Sequence, residues 1–373
     1  MSLTNVRTLG RSGLVVSPLA LGTMTFGADR WGSAEQGSRA VFDAYVDAGG
    51  NFIDTADVYS GGRSEEMVGR FIEERGLREQ LVLATKAGFS RARGNVNAGG
   101  NGAKNLYAAL DRSLSRLRTD YIDLYWIHIW DMVTPAEEVL HTMDALVTSG
   151  KVRYFGISNA PAWYVAQLAV LAAERDRAVP IALQYEYSLV ERHVEHEVLP
   201  AARALGMGLL AWSPLGGGLL TGKYRREVVA AQRGVGFALP DTSASASAAP
   251  SVDSDGRLNG ANPFGDTKFS ERNWAILEVV AAVAQELECT PASVALRWSS
   301  QQPTVAGLIV GASRVSQLQE NMAALNIALS ADQLARLDAA SAIVPTYPAT
   351  VASPAINRML FGGHAVAAWD AYR

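Results

Sequence analysis

The sequence predicts an α/β fold, a (β/α)8 TIM barrel. Three observations lead there. Eight short apolar runs alternate with helix-periodic segments at roughly thirty-residue spacing, the signature of a parallel sheet that closes on its eighth strand. Several of these runs end on a residue able to do chemistry, as barrel strands do: Asp54, Lys86, His128, Gln184 and Trp212. No Gly-x-Gly-x-x-Gly follows a first strand, which argues against a doubly wound dinucleotide fold.

Residues 9–14, with Gly10 and Gly13, read as a small hairpin ahead of the barrel. Residues 16–21 form the first barrel strand, ending in Gly22, Thr23 and Met24, and 34–48 its helix, where Ala40, Val41, Ala44, Tyr45 and Ala48 recur at helical spacing. Strand 51–56 follows Gly49 and Gly50; its helix, 64–75, has Ser64 as N-cap and Glu65 and Glu66 at the positive end of the helix dipole. Strand 81–87 runs through a Gly/Asn-rich loop, 93–102, into helix 105–117. Strand 123–129 precedes helix 135–149, with Pro135 suited to the first helical position. The remaining pairs are 153–158 with 161–175, 181–187 with 193–205, 209–212 with 270–287, and 305–310 with 316–324.

The repeat is extended in three places: by the hairpin, by a Ser/Ala/Gly-rich insertion loop after strand seven at 225–268, and by a C-terminal helix at 330–340 followed by a tail at 343–373. The insertion is either a disordered stretch or a lid, because loops after barrel strands face the active site. Tyr347, Phe361, Trp369 and Tyr372 of the tail are candidates for a pocket wall, for packing on the barrel's side or for a subunit contact. The whole of 1–373 is expected to be one barrel domain.

Composition narrows the functional classes. A net charge of −4 argues against a nucleic-acid or anionic-membrane surface. Cys289 is the only cysteine, so no intramolecular disulfide can form. The first residues lack the apolar core of a signal peptide, and no charge-free apolar run approaches the roughly 18 residues of a membrane span. These features lead us to expect a cytoplasmic protein with a small-molecule partner; the oligomeric state is left open.

The candidate chemistry is proton delivery to an oxygen. A phenol is too weak an acid near neutrality unless its anion is stabilised, which a nearby ammonium does. Tyr59 is then the general acid, Lys86 its modulator, Asp54 the anchor of Lys86, and His128 a donor that orients the same oxygen. Taken singly, each residue is more often a packing or capping residue; the four on strands two to four of one repeat are the argument. No side chain donates hydride, so reduction of a carbonyl needs a cofactor. Ser158 and Asn159 offer hydroxyl and amide groups to a carboxamide, and Gln184 ends the sixth strand as a further candidate cofactor contact. Trp212 offers a stacking face, the glycines 216–218 a close backbone approach to a pyrophosphate, and Gly311, Ser313 and Arg314 a helix start suited to phosphate. His193 and His196 lie beside acids, but no strand end pairs histidines with carboxylates, so no metal is expected.

With Gly22 to Met24, Asn51 to Tyr59, Lys86, Asp120 to His128, Gly150 to Asn159, Gln184, Trp212 to Lys223 and Gly311 to Asn321 in view, the chain resembles the aldo-keto reductases. His128 to Asp131 and Asn95 to Leu106 are similar to the bacterial and fungal branch with aryl-alcohol dehydrogenase-like members. The resemblance implies an NADPH-dependent reductase of aldehydes or ketones whose catalytic tetrad is Asp54, Tyr59, Lys86 and His128. It implies that Ser158, Asn159 and Gln184 hold the carboxamide, and that Trp212 stacks on the nicotinamide. Ser213, Leu215, Gly217 and Lys223 would meet the pyrophosphate, and Gly311, Ser313, Arg314, Gln317, Glu320 and Asn321 the adenosine phosphate. Gly22, Thr23, Met24 and Asp54 complete the cofactor set. Many members carry a basic residue where Gln317 stands, which leaves Arg314 as the grip on a 2′-phosphate. Phe26, Trp31 and Trp130, with Phe89, would wall a pocket for a flat, bulky carbonyl compound or a keto-sugar. Some family members, the potassium-channel β subunits, work mainly by association, so a cofactor-binding partner subunit is the alternative.

Overall fold

The computed structural model describes residues 2–29, 32–227, 258 and 268–366. Most of the 225–268 insertion, together with Trp31, Trp369 and Tyr372, lies outside the described residues. Strands β1 (Arg7–Thr8) and β2 (Val15–Val16) pair antiparallel, with Arg7 opposite Val16. The barrel comprises β3 (Leu19–Gly22), β4 (Phe52–Asp54), β5 (Val82–Ala87), β6 (Ile122–Ile127), β7 (Val152–Ser158), β8 (Ala182–Glu186), β9 (Gly208–Trp212) and β10 (Val305–Val310). Every neighbouring pair is parallel, and β10 closes on β3.

The expected first strand, 16–21, is in fact two. Pro18, which has no N–H to give a ladder, separates β2 from β3, and the residues expected to be the hairpin, 9–14, are its loop. That loop plugs the N-terminal end of the barrel. Leu9 is fully buried in an interior cluster with Phe52, Leu124, Trp126 and Leu210, and Arg11 N–H donates to Gly206 O at 2.7 Å. Gly10 has φ +61°, and a Cβ there would sit 2.7 Å from Gly206 O. Higher in the barrel, Gly156 gives its space to Trp126, whose indole a Cβ would strike.

Helices α1 (Glu35–Asp47), α2 (Arg63–Arg75), α3 (Ala103–Leu117), α4 (Ala136–Thr148), α5 (Ala162–Glu174) and α6 (Val198–Leu205) follow their strands. Among the described residues two more, α7 (Glu271–Glu286) and α8 (Pro291–Ser300), separate β9 from β10, and α9 (Val315–Ala323) and α10 (Ala331–Ser341) follow β10. The sequence reading missed α8, although its start is written there: Thr290 caps Ser293 N–H and Pro291 holds the first helical turn. It also placed a cap wrongly. Gly62, in the left-handed region, precedes α2, while Ser64 lies within the first turn and donates to Thr23 O at 2.8 Å. The expected helix 193–205 is broken into a short turn, His193–Glu195, and α6. The tail carries α11 (Pro354–Leu360), and Tyr347 is 84% exposed, so it walls no pocket. Among the described residues no single helix is long and apolar enough to cross a membrane.

Register sets up the site. Asp54 pairs with Ala84, and Lys86 lies two residues beyond; Lys86 pairs with Trp126, and His128 lies two residues beyond that. Strand side chains alternate with period two, so Asp54, Lys86 and Trp126 share the interior face and His128 continues it at the barrel's mouth.

Contact between α2 and α3 is closest at Gly69, where a Cβ would lie 2.5 Å from Arg116 O. Alanine is the better helix former by about 1 kcal/mol, yet backbone on the facing helix cannot yield as a side chain does. Gly69→Ala is therefore expected to destabilise the fold by about 1–3 kcal/mol. An unchanged or raised urea midpoint would show that the two helices separate freely.

Candidate active site

Lys86 is the centre of the site. Its side chain is fully buried, and Nζ is ringed by oxygens: Asp54 Oδ2 in a short ion pair, Thr55 O at 2.8 Å and Tyr59 Oη at 3.2 Å. Burial opposes the ammonium, but Asp54 and Tyr59 outweigh it and hold the Lys86 pKa above its ordinary value. Burial likewise pushes the Asp54 carboxyl up, against the pull of Lys86 and of Gln184, whose Nε2 donates to Asp54 Oδ1 at 3.0 Å. Asp54 Oδ2 and Thr55 O accept from Nζ and Tyr59 Oη lies within reach of its third hydrogen, an arrangement that suits the charged amine and an ionic pair.

His128 N–H extends the ladder by donating to Ala87 O at 2.9 Å, and its ring stands edge-on to Tyr59 with centroids 6.1 Å apart. Burial, and then the charge on Lys86, hold the imidazole well below its usual pKa, so it is neutral near pH 7. Phe89 meets the same ring edge-on at 4.8 Å. All four tetrad residues of the sequence reading are thus brought together on β4, β5 and the segments that follow β4 and β6.

Tyr59 owes its place to a strained loop. The turn Tyr59–Gly62 holds Ser60 at φ +48° and Gly61 at +71°; Ser60 Oγ donates to Phe26 O at 2.8 Å and Arg91 Nη2 to Gly61 O at 2.6 Å. Near it lie two buried acids: Glu65, expected only as a helix-dipole residue, and Asp57, to which the sequence reading gave no role. Glu65 is fully buried, bonded to Arg116 at 2.8 Å and Thr85 Oγ1 at 2.7 Å. Asp57, 2% exposed, gives its N–H to Lys86 O at 3.1 Å, while its Oδ1 has no partner. The signal was present, since Asp57 lies inside the Asn51–Tyr59 stretch, but nothing in the residue order shows that it is buried.

The residues assigned to a cofactor line the adjoining arc of the mouth. Ser158 Oγ donates to Gln184 O at 2.7 Å, Asn159 Nδ2 to His128 O at 3.1 Å, and Trp212 Nε1 to Asn159 Oδ1 at 3.2 Å. Asn159 and Ser213 both take positive φ, as do the three glycines 216–218, so the backbone after β7 and β9 bends in ways that expose its polar groups. A Cβ on Gly218 would fall 3.3 Å from Lys223 Nζ, so only glycine leaves that space beside the lysine. At the start of α9, Ser313 gives both N–H (3.0 Å) and Oγ–H (3.1 Å) to Gln317 Oε1, Arg314 is exposed, Glu320 is exposed one turn on, and Asn321 is buried. Gly311 is exposed, and Met24 and Leu215 are half-buried. Glycine turns, a lysine, a serine and an arginine form a donor set that fits a dinucleotide's phosphates.

Gly22, Thr23 and Phe26 lie deeper in the fold. Thr23 is fully buried; its N–H and hydroxyl donate to Asp54 O at 3.0 and 3.3 Å, so it props the strand that carries Asp54. Gly22 is likewise buried, packed under Ile309. Phe26 is no pocket wall: it is fully buried, with its ring 6.4 Å from that of Phe71 in the layer between barrel and α2. Trp130 does stand at the mouth, edge-on to Trp163 at 5.6 Å, and Trp163, 57% exposed, is an aromatic the sequence reading passed over. His193 and His196 adjoin each other, but among the described residues no group of three or more metal-ligating side chains forms. A surface cavity of about 480 Å³ between α6 and the turn before β10, lined by Tyr187, Arg192 and Arg203, lies away from the tetrad and is organised by the Arg192–Glu195 ion pair.

Burial and then Glu65 push the Asp57 pKa to about 7, against Arg91, Arg112 and Arg116. The folded protein therefore keeps a proton that the unfolded chain has released, so the stability this confers is lost as pH rises from the ordinary value of 3.8 through about 7. Asp57→Asn, with no charge to bury, is expected to gain stability relative to the native protein across that window and to level off above it. A difference that stays flat with pH in denaturant titrations would mean that Asp57 is not held protonated.

Residues 18–342 match the Aldo/keto reductase family. The chain is 35% identical over 338 residues to the uncharacterized oxidoreductase YrpG of Bacillus subtilis (strain 168), covering 88% of this chain and 94% of that one. It is 34% identical over 323 residues to a probable voltage-gated potassium channel subunit beta of Oryza sativa subsp. japonica, covering 86% and 91%. An aryl-alcohol dehydrogenase of Pestalotiopsis microspora, GME11368, is 32% identical over 332 residues, covering 87% and 78%. With a closed eight-stranded barrel beneath these matches, the chain belongs to the aldo/keto reductase family of oxidoreductases.

Proposed function

We propose that the protein reduces the carbonyl group of an aldehyde or ketone to an alcohol at the expense of NADPH, with Tyr59 as general acid. The observation that carries this reading is the buried Lys86 ammonium, which touches the Asp54 carboxylate on one side and the Tyr59 oxygen on the other. When bound, the dihydronicotinamide supplies the hydride that no side chain can give. Ser158, Asn159 and Gln184 would hold its carboxamide and Trp212 its face. Tyr59 would give its proton to the carbonyl oxygen, and the negative charge left on the phenol oxygen would lie 3.2 Å from Lys86 Nζ, a preorganised positive partner. Neutral His128 would donate a hydrogen bond to the same oxygen. In the reverse direction the same groups take a proton from an alcohol.

Arg314, exposed at the first turn of α9, would pair with a 2′-phosphate, and this favours NADPH over NADH. Phe89 and Trp130 at the mouth suit an aromatic carbonyl compound, a substrate class in keeping with the aryl-alcohol dehydrogenase among the relatives. The single half-buried Cys289 suits a reducing compartment such as the cytoplasm.

Oxidation of NADPH by purified protein, followed against aryl aldehydes, aliphatic aldehydes, quinones and keto-sugars, tests the reading. Tyr59→Phe should lower kcat by about 10² or more while NADPH still binds, because the phenol's proton transfer alone is removed. If native protein and variant both bind NADPH and neither turns over any substrate, the partner-subunit reading replaces this one. Arg314→Ala should raise the KM for NADPH by about tenfold or more and leave that for NADH unchanged, the size of one charge-assisted contact. Equal effects on both cofactors would take Arg314 out of the 2′-phosphate site.

A further inference from the structure

Asn101 is fully buried at the end of the loop between β5 and α3. Its N–H donates to Asp131 Oδ2 and its Nδ2 to Ile129 O, both at 2.8 Å. The second bond fixes which way the amide faces, because a backbone carbonyl can only accept; the NH2 group is held there, and Oδ1 is turned the other way. Asn101 Oδ1 is buried without a donor, and so is His128 Nδ1 without a partner. Gly88 brings the two side chains to one place: a Cβ built on it would lie 3.3 Å from Asn101 Oδ1 and 3.5 Å from His128 Cβ.

Two unsatisfied buried polar atoms cost about 1–3 kcal/mol each, and a buried water with two or more polar partners removes that cost. The ring is neutral, so Nδ1 either carries a proton or accepts one in a hydrogen bond. No direct bond links it to Asn101. We infer that Asn101 is a positioning residue for His128: one buried water donates a hydrogen to Asn101 Oδ1 and the other to His128 Nδ1, which keeps the ring proton on Nε2. The consequence for chemistry rests on the carbonyl-reduction reading, since Nε2–H is the donor that meets the carbonyl oxygen, and a ring protonated on Nδ1 offers that oxygen only a lone pair. The charged groups around the ring do not alter the assignment. Burial, and then Lys86 from β5, keep the imidazole neutral, Asp54 from β4 is paired with Lys86, and Asp131 spends its oxygens on Asn101 N–H, Val133 N–H and the N–H and hydroxyl of Thr134.

The chain has five histidines, so nitrogen-15 labelling of histidine in the full-length protein with NADPH bound gives a spectrum simple enough to assign, with His128 identified by the signals lost in His128→Gln. The inference expects native His128 to be protonated on Nε2, with a bare Nδ1 that accepts a hydrogen bond. Asn101→Leu, which at similar volume removes the Oδ1 acceptor together with the Nδ2 bond to Ile129 O, should shift the Nδ1 resonance and lower kcat by about tenfold or more, with NADPH affinity unchanged. A native ring protonated on Nδ1, or an Nδ1 resonance that Asn101→Leu leaves in place, overturns it. Should Asn101→Leu not fold, the native spectrum still decides. Failure of the reductase reading would appear in the NADPH assay of the native protein and would leave the tautomer measurement standing.

Discussion

A single buried ammonium governs this molecule. Taking a lysine charge out of water is unfavourable by several kcal/mol unless oxygens replace the water, and here three do, one from each of Asp54, Thr55 and Tyr59. Each depends on the others being in place. Asp54 lies within reach because β4 and β5 pair in the register that sets it beside Ala84, and Tyr59 because the chain after β4 bends through left-handed residues to bring the phenol back over the barrel. Thr23, Ser64 and Thr85 are all buried in hydrogen bonds that fix these backbones, so much of the polar interior on this side serves one charge.

The arc of the mouth proposed to take the cofactor is arranged differently. Its polar groups bond to one another: Ser158 to Gln184, Asn159 to His128 and Trp212, Ser313 to Gln317. Gln184 belongs to both sides at once, because its side chain donates to Asp54 while its backbone carbonyl accepts from Ser158.

Much of this was legible in the residue order, and the reason is periodicity. Eight repeats fix a barrel, a barrel puts strand ends at one mouth, and alternation within strands puts Asp54, Lys86 and His128 on one face. What failed was anything decided between elements. Phe26 looked like a loop aromatic free to meet a substrate, but it fills the space above Phe71. Thr23 sits in a motif next to half-buried Met24, and only packing shows that its hydroxyl is spent on Asp54. The break at Pro18 could have been read from its missing N–H, and α8 from its Thr290–Pro291 start, so those misses were of signals present. The burial of Asp57 and Asn101 had no local signal at all.

Closure of the barrel has a cost in time. The seam between β3 and β10 pairs Leu19 with Leu308, so the first barrel strand made has no partner on one side until almost the whole chain has left the ribosome. At usual synthesis rates the interval is on the order of tens of seconds, with an apolar parallel edge open to other chains. Leu19, Ala20 and Leu21 are all completely buried in the finished protein, so during synthesis this edge exposes apolar surface that only the last strand covers.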